Sequence, residues 1–192
     1  MEIDAKKMKA IDDMLARHEI MNVMARFMRG IDRHDAELMA SVFHPDAMDD
    51  HTMYIGPGKE LGKTVNAFHE SVKWPAHQHF LSNINIELDG DTAHSEAYVV
   101  AVGRRPDKTL TIGGARYCDR WEKRSGAWLI AARVVVWEWQ NTPEDNDHCE
   151  KIFPLGTHDK SDLSYVRPLN VFRKPTQAVN LAESYLDVHD GT

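Results

Sequence analysis

The order of the predicted elements indicates an α+β domain, in which helices come first and an antiparallel sheet follows. Residues 5–31 carry apolar side chains at three- and four-residue spacing, which is typical of an amphipathic helix. From residue 77 onward the pattern changes to strand-like segments separated by turn residues. A run of helices followed by a run of strands is characteristic of α+β proteins, because α/β folds alternate the two elements.

The N-terminal part contains three predicted helices and one short strand. After the helix at 5–31, a second helix is predicted at 36–43, where His44 and Pro45 end it because the residue before a proline disfavours helical geometry. Residues 48–55 are predicted to form a short strand. Residues 59–73 have apolar side chains along one face and predict the third helix.

The second part contains four predicted strands that form an antiparallel meander. Asp89, Gly90 and Asp91 are a strong signal for a tight hairpin between the first two of these strands. Arg124, Ser125 and Gly126 mark a second turn before the last strand. The strands are predicted at 77–88, 92–103, 109–123 and 127–140.

Length, charge and cysteine content exclude several classes of protein. The chain of 192 residues predicts one domain over residues 1–140, followed by an extension, 141–192, that packs on the domain or on a neighbouring subunit. A net charge of −7 argues against a nucleic-acid partner. The longest apolar runs are too short to span a membrane, and no apolar leader opens the sequence, so we expect a cytoplasmic protein. Cys118 and Cys149 predict neither a disulfide framework nor a thiolate zinc site.

Several short motifs resemble the SnoaL-like and scytalone dehydratase-like families of the nuclear transport factor 2 superfamily. They are RGIDRHD at 29–35, HQHFLSN at 77–83, ARYCDRWE at 115–122 and GAW at 126–128. The resemblance covers roughly residues 10–140. It implies a cone-shaped, curved antiparallel sheet that the N-terminal helices wrap around one deep pocket.

The resemblance also implies a catalytic pair. Asp32 matches the pocket aspartate of these enzymes, and His79 matches the catalytic histidine of dehydratases and of hexachlorocyclohexane dehydrochlorinase. Arg133 stands where the dehydrochlorinase carries a pocket arginine. Phe27 stands where bile-acid 7α-dehydratase has a functional tyrosine, so a phenol cannot act from this position and that substrate class is not predicted.

Asp32 and His79 together suit acid–base chemistry. An imidazole can remove a proton near neutral pH, and a carboxylate on its other ring nitrogen fixes the tautomer. The alternative is structural: Asp32 caps a helix, and His79 is a hydrogen-bonded histidine at the rim of the sheet. Strand alternation puts His77 and His79 on one face and the more apolar set, with Phe80 and Ile84, on the other. A His79 that faces the pocket therefore requires a bulge in the strand.

Seven further residues are expected to bind the substrate along the pocket wall. Asp49 and His51 point to the same side of their strand, but two ligands do not make a metal site, and we predict none. Two roles are open for Arg133: it binds an anionic or phenolic oxygen in the pocket, or it pairs with a carboxylate on the outer face of the sheet. The expected substrate-binding residues are Phe27, Asp49, His51, Tyr54, His77, Tyr117 and Arg133.

Taken together, these features predict a cofactor-independent lyase that acts on a hydrophobic, aromatic small molecule. Dehydration or a related elimination is expected, and deformylating C–C cleavage is a subtype. No glycine-rich phosphate loop or facial triad is evident, so no cofactor is expected. The alternatives are an isomerase with the same pair, a non-catalytic small subunit of a ring-hydroxylating dioxygenase, and a ligand-binding protein without chemistry.

The expected partners are the small-molecule substrate and further copies of the same chain. Members of the superfamily that the motifs resemble associate through the open face of the sheet. Trp128, Val134 and Val136 are predicted on one side of the last strand, where they offer apolar area for burial. We therefore expect a homodimer or a homotrimer, without a nucleic-acid or membrane partner.

Overall fold

The computed structural model describes residues 4–141, 154, 157 and 159–174. Helices lead and strands follow within this part of the chain, as the sequence predicts. No helix among these residues is both long and apolar enough to cross a membrane. The elements are α1 Ala5–Asp32, α2 Ala36–Ala40, β1 Phe43–Asp50, β2 Ile55–Pro57, α3 Leu61–Val72, β3 Ala76–Asp89, β4 Thr92–Arg104, β5 Leu110–Arg124 and β6 Ala127–Asn141, with short 3-10 turns at Gly58–Glu60 and Leu163–Tyr165.

Helix α1 packs against the sheet mainly with its second half. Asp4 begins the helix, and its side chain accepts a hydrogen bond of 2.8 Å from the backbone N–H of Lys7. Ile20 and Phe27 are fully buried, whereas Met8 and Met14 in the first half are exposed. The buried second half ends at Asp32, which is thereby carried to the interior edge of the sheet.

The six strands form one curved, unclosed sheet in the order β2-β1-β6-β5-β4-β3. Strand β1 runs parallel to β6, and all other neighbours are antiparallel. The four long strands form the predicted meander. Gly90 and Gly126 occupy the turns with φ angles of 58° and 83°, a region that glycine enters without steric cost. Both predicted turns are confirmed.

The segment between α2 and α3 differs from the prediction. Helix α2 ends at Ala40 instead of continuing to residue 43, and Phe43 already begins β1. The predicted strand at 48–55 is divided into β1 and β2 by a turn, in which the backbone N–H of Thr52 donates to Asp50 Oδ1. The reason is tertiary, because β1 is held by its parallel pairing with β6, and local propensity does not encode such a partner.

Residues 159–174 cover the part of the sheet's outer face that β5 and β6 form. Leu169 packs there against Cys118, Val134 and Val136 and is only 2% exposed. Arg116 also holds this segment, since its two terminal nitrogens donate to Asp162 at 2.8 Å each. The area expected at an interface between subunits is therefore covered by the chain itself.

Trp128 lies on the opposite face from Val134 and Val136, which corrects the prediction that the three share one side. Trp128 belongs to the core, whereas the two valines belong to the outer cluster. The register between β5 and β6 shifts by one residue between Ile130 and Ala132, and such a shift exchanges the faces of all later side chains. The homodimer or homotrimer itself stays a prediction.

Candidate active site

Asp32 and His79 are in direct contact. Nδ1 of the His79 ring lies 2.7 Å from Oδ1 of Asp32. Because an ionised carboxylate can only accept, the ring Nδ1–H is the donor. The backbone N–H of His79 also donates to this carboxylate, at 3.1 Å to Oδ1 and 3.3 Å to Oδ2. Asp32 is the last residue of α1, and His79 is the fourth residue of β3. This carboxylate therefore joins the end of the helix to the strand.

The hydrogen bonds from His79 set the charge state of Asp32. Burial by itself would raise the pKa of this carboxyl group. The hydrogen bonds from the ring and the backbone of His79, with the nearby charges of His79 and His77, outweigh that effect and lower the pKa below its ordinary value of 3.8. Asp32 is therefore ionised at neutral pH, which is the form that orients an imidazole.

A bulge in β3 lets His79 face the interior. Asn83 has a φ angle of 47°, and the pairing of β3 with β4 is interrupted between Ser82 and Asn85. Before the bulge, His77 and His79 alternate inward; after it, Ile84 and Ile86 do so. The expected bulge is confirmed. Because of it, the inner face of β3 is polar at the end that carries His77 and His79 and apolar at the end that carries Ile84 and Ile86.

His79 lines an apolar cavity of about 260 Å³ between α3 and the inner face of the sheet. The cavity walls carry three tryptophan or phenylalanine side chains, Phe68, Trp74 and Trp137. Because Nδ1 of His79 is bonded to Asp32, the ring nitrogen left to meet a ligand is Nε2. The polar side chains around the cavity are His51, Tyr54, Thr64, His69, His77, His79, Thr111, Tyr117 and Gln140.

A second histidine–aspartate pair lies at the same cavity. His51 lines it, and its Nδ1 is 3.2 Å from Oδ1 of the fully buried Asp49. Tyr54 lines the wall nearby, and burial, together with the charges of Asp49 and Glu60, raises the pKa of this phenol to about 12. Burial likewise raises the pKa of Tyr117, so both phenols are neutral hydrogen-bonding groups at physiological pH.

Arg133 lies behind the cavity wall. Its guanidinium donates to both carboxylate oxygens of Asp119, at 2.7 and 2.8 Å. The aromatic rings of Phe27 and Tyr117 flank it at 4.3 and 4.2 Å from its central carbon. Arg133 and Asp119 are both fully buried. Of the two roles expected for Arg133, the structure shows pairing with a carboxylate. This pair lies on the inner side of the sheet, however, and not on the outer face as expected.

The expected substrate-binding residues fall into two groups. His51, Tyr54, His77 and Tyr117 line the cavity. The other three, Phe27, Asp49 and Arg133, lie one layer behind it, in contact with residues of the wall. These three residues do not line the pocket, contrary to the expectation. Local alternation predicts the side of a strand on which a side chain lies, but not the depth at which it packs.

Sequence inspection missed two features of the site. His69, in the last turn of α3, lies at the cavity, and its ring is 4.1 Å from that of His77. Gly103 lets the ring of Trp74 pack on the backbone of β4, where an added Cβ would come within 2.2 Å of the indole. Neither contact has a sequence signal, since the first depends on how β3 folds back beside α3 and the second joins positions 29 residues apart.

The sequence of this chain matches a known protein family. The model of the SnoaL-like domain matches residues 12–134, which is more than half of the chain. The chain belongs to the SnoaL-like family. This family lies within the nuclear transport factor 2 superfamily, as the motifs around Asp32 and His79 indicate. The uncharacterized protein Rv2910c of Mycobacterium tuberculosis is 25% identical over 134 residues, which are 67% of this chain and 90% of that protein.

Several solved structures are similar in fold to this chain. A proposed scytalone dehydratase of Novosphingobium aromaticivorans superposes with a TM-score of 0.65 at 18% identity, over 77% of this chain and 97% of that one. The hexachlorocyclohexane dehydrochlorinase LinA-type3 of Novosphingobium barchaimii has a TM-score of 0.59 at 19% identity, over 69% and 92%. A Nostoc punctiforme protein of unknown function with a cystatin-like fold is 28% identical, with a TM-score of 0.54 over 70% and 93%.

Proposed function

We propose that this SnoaL-like protein is a cofactor-independent lyase that eliminates a leaving group from a hydrophobic, aromatic small molecule. The observation that carries the proposal is the 2.7 Å hydrogen bond between His79 Nδ1 and Asp32 at the wall of an apolar cavity. A histidine held in this way is a general base, and its remaining nitrogen faces the space where a ligand binds. The likeness in fold to a proposed dehydratase and a dehydrochlorinase supports the same reaction class.

The two residues supply every proton transfer that a dehydration requires. Nε2 of His79 takes a proton from the carbon next to the one that bears the hydroxyl group. The electron pair of that C–H bond forms the new double bond, and the C–O bond breaks. The imidazolium then returns its proton to the departing hydroxide, which leaves as water. Asp32 stabilises the imidazolium during this cycle but keeps its own charge.

The walls of the cavity favour an aromatic or polycyclic substrate. Phe68, Trp74 and Trp137 offer flat apolar surfaces, and a space of about 260 Å³ has room for a small ring system. Tyr117, with a neutral phenol, is placed to hydrogen-bond an oxygen of the substrate. The hydroxyl group of Tyr54 already donates to the carbonyl oxygen of Pro57 at 2.7 Å, so Tyr54 contributes wall surface and not a donor. Deformylating C–C cleavage is a variant of the proposal, because the same base removes a hydroxyl proton in that reaction.

An isomerase is the second candidate. A single histidine base can return its proton to a different carbon of the substrate without releasing a leaving group, and the His79–Asp32 geometry serves that reaction equally. A non-catalytic small subunit is a weaker candidate. Such a subunit has no need for an ionised carboxylate that orients a histidine toward an apolar cavity.

The proposal is tested by incubating the purified protein with a panel of hydroxylated and halogenated cyclic and aromatic compounds. Mass spectrometry distinguishes the outcomes: elimination yields a product lighter by water or hydrogen halide, and isomerisation yields a product of unchanged mass. In D2O the isomer gains one mass unit wherever the proton on the base exchanges with solvent before it is returned. His79→Ala is expected to abolish either reaction, whereas His18→Ala, at an exposed position of α1, is expected to leave it unchanged. Turnover that survives His79→Ala at an unchanged rate would contradict the proposal.

A further inference from the structure

Three histidines from separate elements meet at the rim of the cavity. His34 lies in the turn after α1, His69 in the last turn of α3, and His77 near the start of β3. One ring nitrogen from each can be chosen so that all three lie within 4.8 Å of one another. The ring centroids are 4.1 Å apart for His69 and His77, 4.9 Å for His34 and His69, and 5.0 Å for His34 and His77.

The buried member of the cluster lacks a hydrogen-bond partner. His69 is only 8% exposed, and its Nδ1 is fully buried with no donor or acceptor in reach among the described residues. Buried polar atoms in proteins are nearly always paired, so an orphaned imidazole nitrogen beside two further imidazoles calls for an explanation. A ligand that accepts electron pairs from all three rings supplies one.

His77 is oriented in the way that metal-binding histidines usually are. Its Nε2 lies 3.3 Å from the carbonyl oxygen of Ile31, to which it donates. This bond leaves Nδ1 with the lone pair that a metal requires, and a backbone carbonyl is a common second partner for a ligating histidine. Asp32, one residue further along α1, adds a negative charge beside the cluster.

We propose that His34, His69 and His77 bind one divalent transition-metal ion, with Zn²⁺ as the best fit. Imidazole nitrogens suit zinc, nickel and copper, whereas magnesium and calcium prefer oxygen ligands. Three histidines leave a fourth position of a tetrahedral ion open toward water or a ligand in the cavity. The elimination assigned to His79 does not need this ion, so the site is an addition to the proposed function.

Binding requires the rings to rotate. Two nitrogens that share a tetrahedral zinc ion at about 2.0–2.1 Å lie roughly 3.4 Å apart, which is closer than the 4.8 Å limit within this cluster. The nearly parallel rings must turn so that their nitrogens converge. His34 is exposed and lies in a turn, so it is the ligand that closes the site. Burial, followed by the charges of His77 and His34, lowers the pKa of His69 to about 3 and keeps this ring in the neutral form that binds metal.

The test is a calorimetric titration of the full chain with ZnCl₂, after removal of any affinity tag and dialysis against EDTA. We expect one equivalent to bind. Altering a mere partner of a ligating histidine costs ~10–100-fold in affinity, so His34→Ala, His69→Gln and His77→Ala are each expected to weaken binding about 100-fold or more. His18→Ala is the matched control and is expected to bind as the wild type does. Co²⁺ provides a second readout, since its visible absorption reports tetrahedral nitrogen coordination.

Far-UV circular dichroism and the thermal midpoint establish that each variant is folded. His34→Ala keeps the test decisive if His69→Gln does not fold, because His34 is an exposed residue of a turn. The absence of stoichiometric Zn²⁺ binding to the wild type would overturn the proposal. Binding that is equally tight in folded His34→Ala and His77→Ala would overturn it too, since the ion would then lie elsewhere. Neither result bears on the elimination, which is measured on EDTA-treated protein.

Discussion

Asp32 accepts hydrogen bonds from both the ring and the backbone of His79. The ring Nδ1 lies 2.7 Å from Oδ1, and the backbone nitrogen lies 3.1 Å from the same oxygen. The carboxylate therefore fixes the tautomer of the imidazole and, at the same time, the position of the strand that carries it. If the carboxylate is lost, we expect the imidazole ring of His79 to remain at the cavity but to lose its fixed orientation.

The first prediction is that Asp32 and His79 act as one unit. Asp32→Asn and His79→Ala are each expected to lower turnover by about 10²–10⁴, because either change removes the oriented base. The double variant is expected to be hardly slower than His79→Ala, since the second change removes nothing that still functions. Turnover and thermal midpoints of the three variants measure this. Asp12→Asn, at an exposed position of α1, is the control. If the fold decrease in turnover of the double variant equals the product of the two single decreases, the two residues do not act as one unit.

The second prediction concerns the bulge at Asn83. Its φ angle of 47° is tolerated by asparagine and by glycine, but a β-branched residue is strained there by about 1–2 kcal/mol. Asn83→Val is therefore expected to destabilise the protein by this amount and to lower turnover, because β3 then favours a regular register that misplaces His79. Asn83→Gly is expected to be neutral within about 0.5 kcal/mol.

Denaturant unfolding and turnover of the Asn83 variants provide the measurement. Ser82→Val is the matched control, since Ser82 is exposed on the same strand and is not among the residues with positive φ. Equal stability of Asn83→Val and Asn83→Gly would show that the bulge does not depend on this residue.

The third prediction is that Arg133 stabilises the fold from behind the cavity. Arg133→Met leaves the fully buried carboxylate of Asp119 without its partner, which is expected to cost about 3–5 kcal/mol in the free energy of unfolding. The double variant Arg133→Met with Asp119→Leu removes both charges and is expected to recover part of that loss. Arg104→Met, at an exposed position of β4, controls for the loss of a positive charge.

Urea unfolding curves measure these differences. A stable Arg133→Met protein that has lost only its affinity for the substrate would contradict the structural role and would favour direct binding by the guanidinium.

The fourth prediction is a pH dependence that arises from Asp162. Burial would raise the pKa of this carboxyl group, but hydrogen bonds from Arg116 and from the backbone N–H groups of Ser164 and Thr157 lower it well below its ordinary value of 3.8. A group whose pKa is lowered in the folded state stabilises that state above its unfolded pKa and loses this contribution as the pH falls through the folded value.

Wild-type protein is therefore expected to exceed Asp162→Asn in stability by about 1–3 kcal/mol at neutral pH. The difference is expected to shrink progressively below about pH 4, where the unfolded chain begins to take up the proton. Thermal midpoints between pH 7 and pH 2 measure it, with Lys160→Ala as the control on the exposed surface of the same segment. A difference that is constant over this range would exclude ionised Asp162 as its source.

Much of the fold follows from local patterns. The period of apolar residues predicts α1 and α3, and Gly90 and Gly126 predict two of the three hairpins that join β3 to β6. These features depend on neighbours a few residues apart, which the sequence displays directly. The strand that pairs with β6 in parallel begins at Phe43, within the predicted second helix, because its partner lies far away in the chain.

The candidate site depends on contacts that no local pattern contains. The motifs around Asp32 and His79 singled out the pair, whereas spacing alone favoured the structural alternative of a helix cap and a rim histidine. The structure joins two residues that are 47 positions apart. It also gathers His69 with His77, which no motif indicated.

The sequence by itself determined the class of fold, the order of its elements and the family to which the pair of Asp32 and His79 belongs, since these follow from periodicity, turn residues and motif. Tertiary structure alone decided which side chains reach the cavity. Arg133 alternates toward the inner face but is held by Asp119 behind the wall, and His79 reaches the cavity only because β3 bulges at Asn83. Depth and register are properties of packing between distant segments, and a one-residue shift reverses the face of every side chain that follows.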